Sequence, residues 1–382
     1  MFSVFSFCFA VITGMSYLLL MLRYTLGWKK MPKFLPASDY IPKTKISVII
    51  AARNEAANIV DCLKSIAAQH YPPSLYQIIL VDDHSEDNTV ESAQSLYISN
   101  LNIIEMTLFK DISVISYKKK ALETAIAAAA GDLIVCTDAD CVASPAWLSS
   151  IAELYEKNNS VKLIAGPVVF HKESSLFERF QSLDFLGMMA ITGAGIAGKY
   201  LFMCNGANLA YSKAVFQEVG GFEGINNLAS GDDMLLLQKI SAKYPDGIRF
   251  LKSRESIIST KAEKKLSAFW HQRIRWASKS GAYKQWGTQI QLGLVWLFML
   301  SILLSGIMTF WNSMFFVVFI IQWLLKAISD YILLREAVLF FKRAELLGIF
   351  FPALFMHWLY ILTVGFWANL KLGYNWKGRS SV

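Results

Sequence analysis

The sequence predicts an α/β domain with a mostly parallel sheet, set between membrane-spanning helices. Between about residues 40 and 260, short β-branched runs alternate with helix-like stretches, the pattern of a sheet covered on both faces. Long charge-free stretches flank that region, and a bilayer-crossing helix needs roughly 20 mostly apolar residues. Only 17% of the chain is charged against 54% hydrophobic, and the mean hydropathy is +0.39. A soluble protein is ordinarily about one quarter charged, so a wholly soluble chain does not fit. Intrinsic disorder is excluded, because it needs low hydrophobicity and high net charge. The net charge of +8 suits an anionic membrane better than a nucleic acid, given so much apolar surface.

Residues 1–23 read as an N-terminal transmembrane anchor. Residues 1–22 carry no charge, and Arg23, Lys29, Lys30 and Lys33 follow. A signal peptide carries its positive charges before the apolar run. Charges after it mark an uncleaved anchor, with the following chain in the cytoplasm. The five cysteines form no C-x-x-C pair, which fits a reducing compartment.

Residues 40–262 form the α/β domain. A strand is expected at 46–52 and a helix over 55–68, then a strand at 78–81. A second helix is expected over 85–97, with Ser85 or Asp87 as its cap. An alanine-rich helix over 121–130 ends at Gly131, followed by a strand at 133–136 and a fourth within 163–170. Residues 263–284 read as an amphipathic helix lying in the membrane interface. Its apolar face carries Trp270, Ile274, Ala277 and Gly281, with Gln272, Arg275 and Lys279 elsewhere. Residues 285–370 hold about three apolar segments: two helices with a turn near Trp311, Asn312 and Ser313, and a last run over 346–370 interrupted by Pro352 and His357. Lys326 and Asp330 share one helical face at i,i+4 and are placed to pair. Four spans would put the basic tail, 371–382, outside the cytoplasm, against the positive-inside rule. Either the last segment is re-entrant or interfacial, or the tail breaks the rule.

Three strands end in polar or acidic residues: Arg53, Asn54 and Glu55 after the first, Asp82 and Asp83 after the second, Asp138 and Asp140 after the third. Open α/β sheets bind ligands at the carboxyl ends of their strands, although an aspartate there also caps the next helix. Asp138 and Asp140 flank one small residue, and such hard oxygen ligands suit Mg2+ or Mn2+. Ser230, Gly231, Asp232 and Asp233 precede an apolar helical stretch. One of those aspartates either caps that helix or acts as a general base toward an acceptor hydroxyl. Lys118, Lys119 and Lys120 open a helix where cations oppose the macrodipole; either a phosphate ligand offsets that cost or the run is a plain solvated basic turn.

In this order, the residues resemble the inverting, membrane-integrated family-2 glycosyltransferases, over about 45–280. The resemblance implies the GT-A fold, a Rossmann-like mixed sheet that binds a nucleotide sugar. It implies donor contacts from Ala52, Arg53 and Glu55, from Asp82 and Asp83 at the base (a UDP-sugar), and from Asp138. The family's D-x-D motif, which binds Mg2+ or Mn2+, matches Asp138 and Asp140. Its basic GKxxAL element resembles 117–122 around Lys118, with Tyr117 in place of glycine. The acceptor-side loop resembles Asn205 and Gly206 with their neighbours. The base motif resembles Asp232 and Asp233, with Asp233 the expected base. The Q-x-x-R-W motif is matched by Gln272, Arg275 and Trp276. The implied partners are a nucleotide-sugar donor, a lipid or glycan acceptor and the membrane, with no nucleic acid. The rivals are a processive polysaccharide synthase and a catalytically silent nucleotide-sugar-binding subunit of a membrane complex.

Overall fold

The computed structural model describes residues 2–106, 116–226, 228, 230–279, 283, 285–369, 374–376 and 379–381. Gly281 of the expected amphipathic face, and Lys371 and Lys377 of the tail, lie outside them. The chain opens with α1 (Phe2–Lys30), continuous well past the charge-free run because its last two turns pack on the domain below. The domain follows as β1 (Ile46–Ala52), α2 (Ile59–Ala67), β2 (Tyr76–Asp82), α3 (Thr89–Gln94), β3 (Leu101–Glu105), α4 (Tyr117–Ala128) and β4 (Leu133–Asp138). Then come β5 (Val142–Ala143), α5 (Trp147–Glu156), β6 (Leu163–Ala165), β7 (Val168–Phe170), α6 (Leu176–Ala197), β8 (Leu209–Ser212) and α7 (Lys213–Glu218). The chain continues through α8 (Met234–Lys243), β9 (Ile248–Phe250), β10 (Ile258–Thr260), α9 (Leu266–Ala277), α10 (Trp286–Met308), α11 (Met314–Phe341) and α12 (Phe350–Asn369).

Seven strands form one mixed sheet in the order β3-β2-β1-β4-β8-β6-β9, with a small sheet β5-β10-β7 beside it. β1, β2, β3 and β4 run parallel, while β8 is antiparallel to both neighbours. The run at 163–170 is therefore two strands in two sheets, broken at Gly166 and Pro167. A Cβ at Gly166 would lie 2.3 Å from the Asn208 side chain, so only glycine lets the two chains cross. Asn208 itself is buried, accepting from Trp147 Nε1 and donating to the Pro167 and Ser256 carbonyls. It is a structural pin at the end of the 204–208 loop.

The helices after β1 and β2 start later than the sequence predicts, at Ile59 and Thr89. The residues between strand and helix instead form a locked pair of turns. Arg53 donates to the Asp83 and His84 carbonyls, each at 2.9 Å, and the Asn54 N–H donates to Ser85 Oγ. Asp87 accepts from the Thr89 N–H as a local turn contact. Conversely, α4 begins at Tyr117, so the three lysines form its first turn.

Five described helices are long and apolar enough to cross a membrane. α1, α10, α11 and α12 pack on one another and turn many large apolar side chains outward. α6 differs: 78% of its most apolar window is buried inside the protein, where it packs on α1, α11 and α12. Ser175 caps it, accepting from the Glu178 N–H, and the Glu178 carboxylate accepts from the Ser174 N–H and the Ser175 hydroxyl, which ties down the first turn. Lys326 pairs with Asp330, which also accepts from Tyr17 on α1.

The α9 face that turns inward is Phe269, Arg273 and Ile274, not a purely apolar one. Arg273 is buried there because Asp184 of α6 lies 3.2 Å away, both side chains under 5% exposed, and because its guanidinium stacks on Phe269 and Trp276. The helix thus packs on α6 and α12. Removing one member of a buried ion pair leaves the other charge uncompensated, at about 3–5 kcal/mol. Asp184→Ala is therefore expected to lower the thermal midpoint of the detergent-purified protein markedly. An unchanged midpoint would show that Arg273 finds other partners.

Candidate active site

Strand register builds the site. Ala52 stands opposite Asp82 on β2, and Ala51 opposite Asp138 on β4. Two carboxylates thereby flank the carboxyl end of β1, where the sheet leaves a crevice between neighbouring βα turns. Asp82 is 5% exposed; its Oδ2 accepts from the Ser85 N–H, while its Oδ1 has no hydrogen-bond partner. Asp83 lies beside it, 2.9 Å from His84 Nδ1. Glu55 accepts from Asn58 and shapes the turn after β1.

Lys118 reaches across from the first turn of α4. Its Nζ is 2.9 Å from Asp138 Oδ1 and 3.4 Å from Asp232 Oδ2. Burial alone would lower its affinity for a proton, but Asp138 and Asp232 outweigh burial and hold it above the ordinary lysine value. Burial likewise pushes the Asp232 carboxyl up, yet Lys118 and Lys279 overcome it and keep Asp232 below the usual carboxylate range.

Asp233 lines the same crevice with different partners. Its Oδ2 accepts from the Gly206 N–H at 3.1 Å, its Oδ1 accepts from the Met234 N–H at 2.7 Å, and Lys279 Nζ lies 3.6 Å off. The capping and functional readings of this aspartate are therefore compatible: it sits at the start of α8 and also faces the loop around Asn205 and Gly206. Asn205 shapes that loop, its Oδ1 accepting from the Ala207 N–H. Lys118, Asp138, Gly206, Asp232 and Asp233 line one crevice.

Among the described residues, Asp138, Asp140 and Cys141 place ligand atoms within 4.8 Å of one another. The two carboxylates suit a hard divalent cation. The Cys141 thiol does not: burial pushes it well above its ordinary value, and it stays a neutral donor toward Asp140 Oδ1 at 3.6 Å. Thr260 donates to the other Asp140 oxygen. The residues present thus fit a metal held by Asp138 and Asp140, with Lys118 sharing Asp138.

The Q-x-x-R-W residues stand beside this crevice without lining it. Gln272 donates to Glu263 at 3.3 Å, three residues beyond Thr260, which contacts Asp140. Trp276 lies beneath Arg273 and against Phe185. At the far end of α9, Lys279 meets Asp233. The segment therefore brackets the site, from the Asp140 side to the Asp233 side. Lys279 is a site residue that the motifs did not single out; its signal was a basic residue three positions beyond Trp276.

Residues 47–220 match the family model described as "Glycosyl transferase family 2". The chain carries a glycosyltransferase family 2 domain. It is 32% identical over 193 residues to the glycosyltransferase AglE of Haloferax volcanii, covering 50% of this chain and 59% of that one. It is 25% identical over 237 residues to the poly-beta-1,6-N-acetyl-D-glucosamine synthase of Staphylococcus epidermidis, covering 61% and 53%. The chain thus spans just over half the length of these curated relatives. A solved mannosyltransferase from Pyrobaculum calidifontis, in complex with GDP-Man and Mn2+, superposes with a TM-score of 0.59 over 95% of this chain and 97% of that one, at 19% identity. That likeness bears out the GT-A fold of the domain.

Proposed function

We propose that this family 2 protein is a membrane-bound inverting glycosyltransferase, moving one sugar from a nucleotide-sugar donor to a hydroxyl on a lipid or membrane-associated glycan. The observation that supports it best is the different partners of the two adjacent aspartates: Lys118 Nζ lies 3.4 Å from Asp232, whereas Asp233 accepts from the Gly206 N–H. Asp82, with one buried oxygen unpartnered, suits a base N–H such as that of uracil. Asp138 and Asp140 would hold Mg2+ or Mn2+, which supplies charge stabilisation to the leaving diphosphate.

Asp233 takes the proton of the acceptor hydroxyl as that oxygen bonds to the anomeric carbon. The bond from that carbon to the phosphate oxygen breaks on the opposite face, and Lys118 offers its charge to the departing diphosphate. Asp232, kept below the usual carboxylate range by Lys118 and Lys279 despite its burial, stays ionised as their counter-charge. No carboxylate nucleophile is required, unlike a retaining glycosidase.

The test incubates detergent-purified protein with radiolabelled UDP- and GDP-sugars and a membrane lipid extract. A lipid carrying one sugar is expected. A product lengthening with time favours the processive synthase, and nucleotide binding without any product favours the silent subunit. Arg275→Lys and Trp276→Phe are each expected to reduce transfer sharply at matched protein levels. Lysine lacks the planar fork of arginine, and phenylalanine lacks the indole N–H. Near-wild-type rates in both would return α9 to the role of an anchor.

A further inference from the structure

We propose that Lys119 is a positioning residue for the transfer step, holding the loop before Asp232 and Asp233 in the shape that presents the base. The inference rests on the glycosyltransfer reading, but Lys119 belongs to no motif that carries it. Of the three lysines opening α4, Lys120 is exposed and Lys118 faces the strand-end carboxylates, whereas Lys119 is 2% exposed. Consecutive helical residues project about 100° apart, so one turn serves two sides of the site.

The Lys119 Nζ donates to three backbone carbonyls of one loop: Ile225 at 2.6 Å, Leu228 at 2.6 Å and Ser230 at 3.0 Å. A lysine ammonium has three N–H donors and no acceptor, so these carbonyls use all of them. The start of the loop is held separately, by Lys239 Nζ donating to the Gly220, Gly221 and Glu223 carbonyls and by the buried side chains of Phe222 and Ile225, so Lys119 serves the part nearest the two aspartates. Among its described residues it contains no strand or helix; it is a series of turns ending at Gly231, which takes φ +89. Asp232 and Asp233 follow immediately, three residues from the last anchored carbonyl to the proposed base. A buried carbonyl stripped of its donor needs another partner, and the loop would move to find one. Lys118, one residue away, contacts Asp138 and Asp232, so the first turn of α4 joins the donor end of the site to the base loop.

The test compares wild type with Lys119→Met, which keeps length but has no donor, and Lys119→Arg, which keeps charge but cannot serve three carbonyls from one nitrogen. Transfer kinetics, binding of UDP and of GDP with Mn2+, and amide hydrogen exchange are measured on the full chain in detergent. Misplacing a reacting group by about 1 Å costs on the order of 10²-fold. Lys119→Met is therefore expected to lower kcat roughly 10–100-fold, with donor KM and nucleotide affinity near wild type. Exchange should rise at 222–233 and not across the sheet, and Lys119→Arg should fall between. Wild-type kcat with unchanged loop exchange overturns the proposal. So does a fall in nucleotide affinity with exchange raised throughout the domain, which marks a lysine needed only for folding. If the wild-type protein transfers no sugar, the glycosyltransfer reading fails, and local exchange at 222–233 still decides whether Lys119 holds the loop.

Discussion

Asp233→Asn is expected to lower turnover by roughly 10²–10⁴-fold, the range for loss of a general base, with nucleotide-sugar affinity near wild type. The variant keeps one acceptor oxygen, so it can still serve either the Gly206 N–H or the Met234 N–H, but not both. The fold should lose only about 1 kcal/mol, too little to explain the kinetic loss. Asp232→Asn should behave differently. Its carboxylate balances Lys118 at 3.4 Å, so its loss should appear in donor KM as well as kcat. Steady-state kinetics of the two variants, varying donor and acceptor separately, distinguish these patterns. If Asp232→Asn alone shows the pure turnover defect, the two roles are reversed.

Asp140→Ala is expected to abolish metal-dependent nucleotide binding and to lower transfer by about 10³-fold or more, as loss of several kcal/mol of charge stabilisation requires. The protein should remain folded. The Asp140 side chain lies just past a strand end, accepting from Thr260 and Cys141. A carboxylate placed there carries little core packing, so its removal opens no large cavity. Calorimetric titration of UDP and GDP, each with and without Mn2+, reads the binding. Turnover that continues unchanged in EDTA would contradict the metal assignment.

Three of the four strands in the parallel half of the sheet were legible, because β1, β2 and β4 are β-branched runs bounded by polar turns whose last residues announced the crevice; β3 (Leu101–Glu105), on the sheet edge beside β2, was not expected. The strand β8 was not, because Leu209–Ser212 is four residues long and its place follows from antiparallel pairing with distant β4 and β6. Nor was α6. A search for charge-free runs passes over Glu178, Arg179 and Asp184, although the helix is otherwise apolar and buried against the membrane-type helices. Asp184 and Arg273, on α6 and α9, explain each other only once the fold brings them together, and sequence spacing carries no trace of that pairing. The same holds for Lys279 and Asp233. A run of three lysines likewise cannot reveal which faces carboxylates, which anchors a loop and which meets solvent.

The chemistry proposed is a single displacement in which Asp233 activates the acceptor and the diphosphate departs from the opposite face. The measurement that tests it most directly is the anomeric configuration of the product, read by proton NMR against that of the donor. An α-linked nucleotide sugar is expected to yield a β-linked product. Retention of the α configuration would contradict the account, because it requires a second displacement or a front-face route that Asp233, as placed here, does not serve.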